Sequence, residues 1–294
     1  MNEGAVNKPS PIPLLAAIAF AAVFWFTNNI AASIVLLFGH DFLGQNLIAL
    51  TVPRLVGAAI SGALAMAIFE SRKLSDLGLH WNPGAARNLL AGIVAGAGGV
   101  SLLIFPPVLI GFAHFEMAPD AAVSWGVALF TAALLFCGAA GEEIAFRGFP
   151  LQILMRGYGS WASILGMGAL FGVMHRFNPG ATTLSTINTA GFGVLFGVAL
   201  LRSHDLWLPL GIHFGWNATL PLLGVSLSGF TIRVTEYQLV WKAGDLWSGG
   251  AYGPEASLLA SFVLLILFAV VWKMPVRKGE AWLLDSDVLD SNKA

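Results

Sequence analysis

Charge is what this sequence has least of. Only 11% of its 294 residues are Asp, Glu, Lys or Arg, against 57% hydrophobic, and the mean hydropathy is +0.77. Soluble domains carry roughly 25% charged residues, so this chain lacks the polar surface to cover itself in water. Lipid must be the solvent for most of its exterior. The net charge of −1 supplies no basic footprint, and no nucleic-acid partner is expected. Cysteine is almost absent too. The single Cys137 excludes an internal disulfide and any CxxC metal site. It precedes the stretch Gly138-Ala139-Ala140-Gly141 in an apolar run and reads as a small packing residue.

What is present in quantity is apolar sequence. Measured against the ~20 residues a helix needs to cross a bilayer, eight candidate spans emerge: 12–38, 47–69, 88–112, 121–146, 159–177, 184–201, 206–224 and 257–272. Leu14 to Phe26 could serve as a signal-peptide core, but the apolar stretch resumes at Ile30 and runs to Phe38, which predicts an uncleaved span. The 34 glycines and 14 prolines suit membrane helices. Pairs such as Gly92/Gly96 and Gly193/Gly197 let helix backbones approach closely.

Loop charges set an orientation. With a cytoplasmic N-terminus, the inner segments hold Lys8, Arg72, Lys73, Arg87, Arg147, Arg156, Arg202, Lys273, Arg277, Lys278 and Lys293. The outer segments hold Arg176, Arg233 and Lys242, while Arg54 falls inside the second span. Eleven against three is a strong positive-inside bias, and an even number of spans then puts both termini in the cytoplasm. The expectation is an all-α, polytopic helical bundle of about eight spans, one membrane-embedded domain over 1–294, in a bacterial cytoplasmic (inner) membrane. The segment 225–256, with Arg233, Glu236, Trp241, Lys242, Asp245 and Trp247, is the longest polar interruption and is expected to fold over the bundle as a cap. The tail with Glu280, Asp285, Asp287 and Asp290 reads as a solvated end.

Ionisable residues within spans are costly and so are functional candidates by default. Three groups qualify. In Gly141-Glu142-Glu143-Ile144-Ala145-Phe146-Arg147-Gly148, Glu143 and Arg147 share a helix face and can pair. Glu142, about 100° around the helix, lacks that partner and can act as general base or acid in an apolar setting; alone, this is also what an ordinary charged helix end looks like. His175 closes Phe171-Gly172-Val173-Met174-His175, and a lone histidine near a span end is commonly structural. His213 and Asn217 are four apart on one face, able to aim donors at one spot or simply to join two helices. Each signal is weak singly; together, three helices offer polar faces to one shared cavity. His40, His80, His114 and His204 fall in loops or at interfaces, and His204-Asp205 in a short turn. HExxH, GxSxG and GxGD are absent, which removes the usual zincin, α/β-hydrolase and presenilin-type signatures.

The ordered pattern EExxxR (Glu142-Glu143 to Arg147), FxxxH (Phe171 to His175) and HxxxN (His213 to Asn217) resembles the CPBP family of type II CAAX prenyl endopeptidases and bacteriocin-processing or immunity relatives. Leu77-Gly78-Leu79 resembles the family's lead-in, and the motif-bearing core covers about 120–225. The resemblance implies an intramembrane endopeptidase whose cavity opens toward the cytoplasm. Residues matching Glu142 and His175 would activate a water, those matching His213 and Asn217 would stabilise the oxyanion, and those matching Glu143 and Arg147, with Phe171, would hold the architecture. Glu142, His175 and His213 would also make a His₂Glu set of the catalytic zinc type, but the family description implies a metal-free glutamate mechanism, so no cofactor is favoured. Expected partners are membrane lipid and a peptide or lipidated peptide. Two rival readings stay open: a non-enzymatic immunity factor or chaperone binding peptide or lipid in the same cavity, and a small-solute transporter, against which the absence of an inverted repeat weighs lightly. Glu142 falls near the inner end of its span and His175 near the outer end of the next, so a shared site requires displaced helices, or a fourth helix continuing past Arg147 toward Met155.

Overall fold

The computed structural model describes residues 13–38, 45–118 and 125–285. Lys8, His40, Asp287, Asp290 and Lys293, all used above, lie outside the described residues. The helices are α1 Pro13–Phe38, α2 Gln45–Ala65, α3 Pro83–Leu109, α4 Trp125–Arg147, α5 Phe149–Tyr158, α6 Ser160–His175, α7 Thr183–Ser203, α8 Trp207–Leu222, the short α9 Asp245–Ser248, and α10 Leu258–Lys273. Five stretches among the described residues are long and apolar enough to cross a bilayer: Pro13–Leu37, Asn46–Glu70, Pro83–Leu109, Trp125–Tyr158 and Thr183–Ser203. Side chains such as Trp125, Leu109, Val94 and Leu129 project from the bundle, as lipid-facing residues would. α6, α8 and α10, of 16 residues each, occupy the other places where sequence expects spans.

Local chemistry explains the boundaries. Asn82 caps α3 by accepting from the Ala85 amide at 2.9 Å, ahead of Pro83 at the first helical position. Thr182 and Ser185 form a reciprocal capping box at the start of α7. α2 runs on as a π-helical turn, Met66–Glu70, and stops at Ser71 in the left-handed region. The fourth span does continue, but not as one rod. It breaks at Gly148 and resumes as α5, whose Pro150 cannot donate to the preceding turn.

Close helix contacts are built on glycine. A Cβ on Gly92 would lie 2.5 Å from the Leu208 carbonyl oxygen, and one on Gly96 would lie 2.7 Å from the Trp216 amide, so α3 and α8 touch backbone to backbone through Gly92, Gly96, Gly211 and Gly215. Gly168, Gly172 and Gly193 do the same for α6 against α7. Gly78, in the Leu-Gly-Leu stretch, takes φ +87° with Asp205 Cα where a Cβ would sit.

The bundle has two ends. At one lie the segments 71–82, 148–159, 204–206 and 274–285, drawn together by Asn88 donating to both Asp205 and the Arg277 carbonyl at 2.6 Å, and by the Arg156–Glu70 pair at 3.0 Å. At the other lie 110–118, 176–182 and 223–257. There a short ribbon joins the helical bundle: β1 Ala113–Met117 and β2 Tyr237–Trp241 pair antiparallel with Phe115 opposite Leu239, and so His114 stands in a strand and not in a loop. This ribbon anchors the long 223–257 segment across the bundle's end.

Gly96→Leu is expected to lower stability by at least about 1–3 kcal/mol through overpacking. Gly98→Ala, two residues on and facing open space, should stay within about 1 kcal/mol of wild type. Thermal unfolding in detergent measures both.

Candidate active site

The site begins with small residues. On α4, a Cβ at Gly141 would lie 2.6 Å from the Leu55 amide, so α2 and α4 pack in parallel with almost no side chain between them. That approach sets Arg54 of α2 beside the next residue, Glu142. The Arg54 guanidinium donates to Glu142 Oε1. The other oxygen, Oε2, faces two imidazoles: His213 Nε2 at 3.7 Å and His175 Nε2 at 4.0 Å. His175 Nδ1 donates to the Phe171 carbonyl at 2.8 Å, which leaves Nε2 as the accepting nitrogen of the neutral ring.

Glu143 points the other way, as helical phase requires. It pairs with Arg147 at 3.4 Å, and both side chains are only 1% exposed. Arg147 is therefore no interfacial cation, contrary to its place in the inner-loop charge count; it lies inside the bundle and donates to the Gly193 carbonyl at 3.0 Å. Glu143 also accepts from His213 Nδ1 at 2.7 Å, so one carboxylate orients the imidazole whose other nitrogen faces Glu142. For Nε2 of His213 to donate, the ring must carry both protons, since its Nδ1 already donates to Glu143. Phe171 and Phe196 complete the frame: the Arg147 guanidinium stacks 4.4 Å from Phe171 and 5.0 Å from Phe196, and Phe196 lies parallel to His213 at 4.9 Å.

These groups line a cavity of about 750 Å³, on whose wall Asn217 stands one turn beyond His213. The Asn217 amide makes no hydrogen bond to a described residue. All four sequence-nominated catalytic residues, Glu142, His175, His213 and Asn217, line this one cavity, together with Phe171; Glu143 and Arg147 lie behind its wall. The break at Gly148 and the length of α5 bring Glu142 and His175 together, since α4 need not end where the bundle ends. Asn178 and, from the long segment, Leu227, Ser228, Phe230, Thr231, Ile232 and Arg233 also line the cavity. Beside it, Glu255 accepts from the Trp216 indole at 3.0 Å and from the Ser228 hydroxyl at 3.1 Å, tying the cap to α8. Burial raises the Glu255 carboxyl above its usual range, against the opposing pull of these donors.

Three partners lay outside the motif reading: Arg54, Phe196 and Glu255. Arg54 could have been found by the rule applied to Glu142, because it too is ionisable inside a span. Arg54 also bears on a metal. One oxygen of Glu142 is already held by a fixed cation, so a divalent ion there would meet like charge in a weakly screening setting. Nor does any group of three or more His, Cys, Asp or Glu among the described residues have an arrangement suited to a metal. The donor set does not fit a resident cation.

Removing the Arg147 guanidinium leaves Glu143 buried with its cation gone. Arg147→Met is expected to cost about 3–5 kcal/mol, read as loss of folded protein on heating in detergent. The double variant Glu143→Gln/Arg147→Met should recover part of that loss.

No curated protein matches this chain. Residues 124–219, which contain all three motifs, match the family model described as type II CAAX prenyl endopeptidase Rce1-like. Glu142, His175, His213 and Asn217 all lie inside the matched stretch and around one cavity, so the motif-bearing segment of this chain is similar to the Rce1-like type II CAAX prenyl endopeptidases.

Proposed function

We propose that the chain is an intramembrane endopeptidase that hydrolyses a peptide bond with a water activated by Glu142 and His175. The observation carrying this reading is the convergence on Glu142 Oε2 of two imidazole Nε2 atoms, at 3.7 and 4.0 Å. Such gaps are too long for direct hydrogen bonds and right for one water bridging an oxygen and a nitrogen. The match of residues 124–219 to a protease family model supports the reaction class.

In the proposed reaction the water oxygen attacks the scissile carbonyl carbon while its proton passes to Glu142 Oε2. Arg54, holding Oε1, keeps that carboxylate aimed. His175 Nε2 accepts the water's second hydrogen as a hydrogen bond and fixes the attack angle. The carbonyl oxygen, now an oxyanion, accepts from the Asn217 amide and from doubly protonated His213. Collapse breaks the C–N bond, and the proton held by Glu142 goes to the leaving amine. Phe171, Phe196 and Arg147 hold both rings in register.

The same proposal takes the domain as one membrane-embedded unit with eight spans, α6, α8 and α10 being the short ones, and both termini cytoplasmic. The substrate is a membrane-associated peptide, with lipidated CAAX-type peptides as the class the family suggests.

Glu142→Gln, nearly isosteric, should abolish cleavage of a quenched peptide substrate while the purified protein keeps its melting temperature. Asn217→Ala should lower kcat about 10²–10³-fold with little change in KM, as loss of an oxyanion donor does. Turnover by Glu142→Gln at the wild-type rate would reject the assignment.

A further inference from the structure

α3 has two opposite faces. Gly92 and Gly96 press it against α8, while Leu90 and Val94, about half a turn round the helix, are 61% and 72% exposed. On that second face α3 and the end of α10 flank a groove of about 730 Å³. Its lining includes Arg87, Leu90, Ala91 and Val94 from α3 with Val270 and Met274 from α10. Along α3 the lining runs from Pro83 to Ala95, about 18 Å of helix axis. Half of a bilayer's hydrocarbon core is about 15 Å thick, so the groove is one leaflet deep. α3 itself, with 27 residues, is about 40 Å long and overreaches the whole core by about 5 Å at each end. Arg87, about 6 Å from the start of α3, therefore stands at the headgroup boundary.

The groove changes chemistry along its length. From Leu90 onward its wall is hydrocarbon, and no acid lines any part of it. Cations gather at the Pro83 end: Arg87 in the lining, Lys273 as the last residue of α10, and Arg277 close by. The backbone of Arg277 is fixed there, since its amide donates to Asn88 Oδ1 at 3.0 Å and its carbonyl accepts from Asn88 Nδ2 at 2.6 Å. A Cβ on Gly84 would lie 3.3 Å from Arg277 Cβ, which sets this side chain against the first turn of α3. All three cations are exposed, and none of their side chains makes an ion pair with a described residue.

We propose that this groove binds an anionic phospholipid, with one acyl chain along Leu90, Val94 and Val270 and the phosphate held by Arg87 and Arg277. Such a lipid matches the groove at both levels, hydrocarbon along its length and negative charge at its cationic end. The arginine stems can lie on the apolar wall while their heads reach the phosphate, whose oxygens a guanidinium binds with paired N–H donors. A second copy of the chain matches it worse. In a twofold dimer with its axis along the membrane normal the groove would meet its own image, and Arg87 and Arg277 would face the same cations at the same depth. The groove shares no lining residue with the catalytic cavity, so the lipid site does not depend on the peptidase reading.

The test uses the full chain, purified in an uncharged detergent and stripped of lipid, with bound lipid counted by native mass spectrometry. Phosphatidylglycerol is expected to bind at least about tenfold more tightly than phosphatidylcholine of the same chains, whose choline brings a cation to the same place. Arg87→Gln/Arg277→Gln should weaken phosphatidylglycerol about 30-fold, as loss of two interfacial cations does, with the melting temperature unchanged. Ala91→Phe keeps both cations but fills the groove, and should weaken it about tenfold. Equal binding of the two lipids, or wild-type affinity in either variant, overturns the proposal. Glycerol phosphate binding as tightly as the whole lipid reveals a bare anion site and overturns it as well. A lipid-free dimer that Ala91→Phe converts to monomer assigns the groove to a second copy instead.

Discussion

Two adjacent carboxylates inside an apolar bundle are the constraint on which this structure turns. Neither can ionise there without a cation or a set of donors, and the bundle supplies a separate one to each. Arg147 holds Glu143 from one turn along the same helix. Arg54 holds Glu142 from α2. Because consecutive residues point about 100° apart, the two pairs lie on different sides of α4, and only one of them faces the cavity. The close packing at Gly138 and Gly141 lets α2 deliver its cation, and the aromatic cradle of Phe171 and Phe196 lets a fully buried guanidinium sit between α4 and α7. Much of the local architecture serves to compensate these charges.

The division of labour between the glutamates follows from that arrangement. Glu143 is spent on structure, touching Arg147 and His213 at once and having no free path to the cavity. Glu142 has one oxygen fixed and the other open toward two ring nitrogens. A half-satisfied carboxylate is what a base requires: held firmly enough to be aimed, yet with lone pairs left to receive a proton. His213 links the two halves, since its Nδ1 is bound by the structural glutamate while its Nε2 faces the chemical one.

Much of this could be read in the residues beforehand, and the omissions have physical causes. The separation of Glu142 from Glu143 is a matter of helical phase, which any helix imposes, and the His213–Asn217 pairing is the same argument at a spacing of four. Partners supplied by tertiary packing were not visible. Arg54 lies 88 residues before Glu142, and only the glycine contact between α2 and α4 makes them neighbours. Phe196 carries no polar signal at all. The β1–β2 ribbon joins segments over a hundred residues apart, and neither strand has an alternation strong enough to stand out within a chain so uniformly apolar. Arg147 was miscounted as an interfacial charge because a helix end in the sequence looked like the edge of the membrane; the break at Gly148, followed by α5, moves that edge.

Charge balance also bears on the chemistry. With His175 neutral and His213 carrying both protons, as the proposed route requires, Arg54, Arg147 and His213 outweigh Glu142 and Glu143 by one positive charge, which faces the place where the oxyanion forms. A peptide hydrolysed by the proposed route preserves that sum. The proton taken by Glu142 removes one negative charge as the oxyanion creates another a few ångströms away, and fixed donors receive it without reorganising. A mechanism that imported a divalent ion would instead place two uncompensated charges beside Arg54, where Coulomb terms are several-fold larger than in water. In this setting the reaction is confined to one that moves a single negative charge across a short, pre-arranged network.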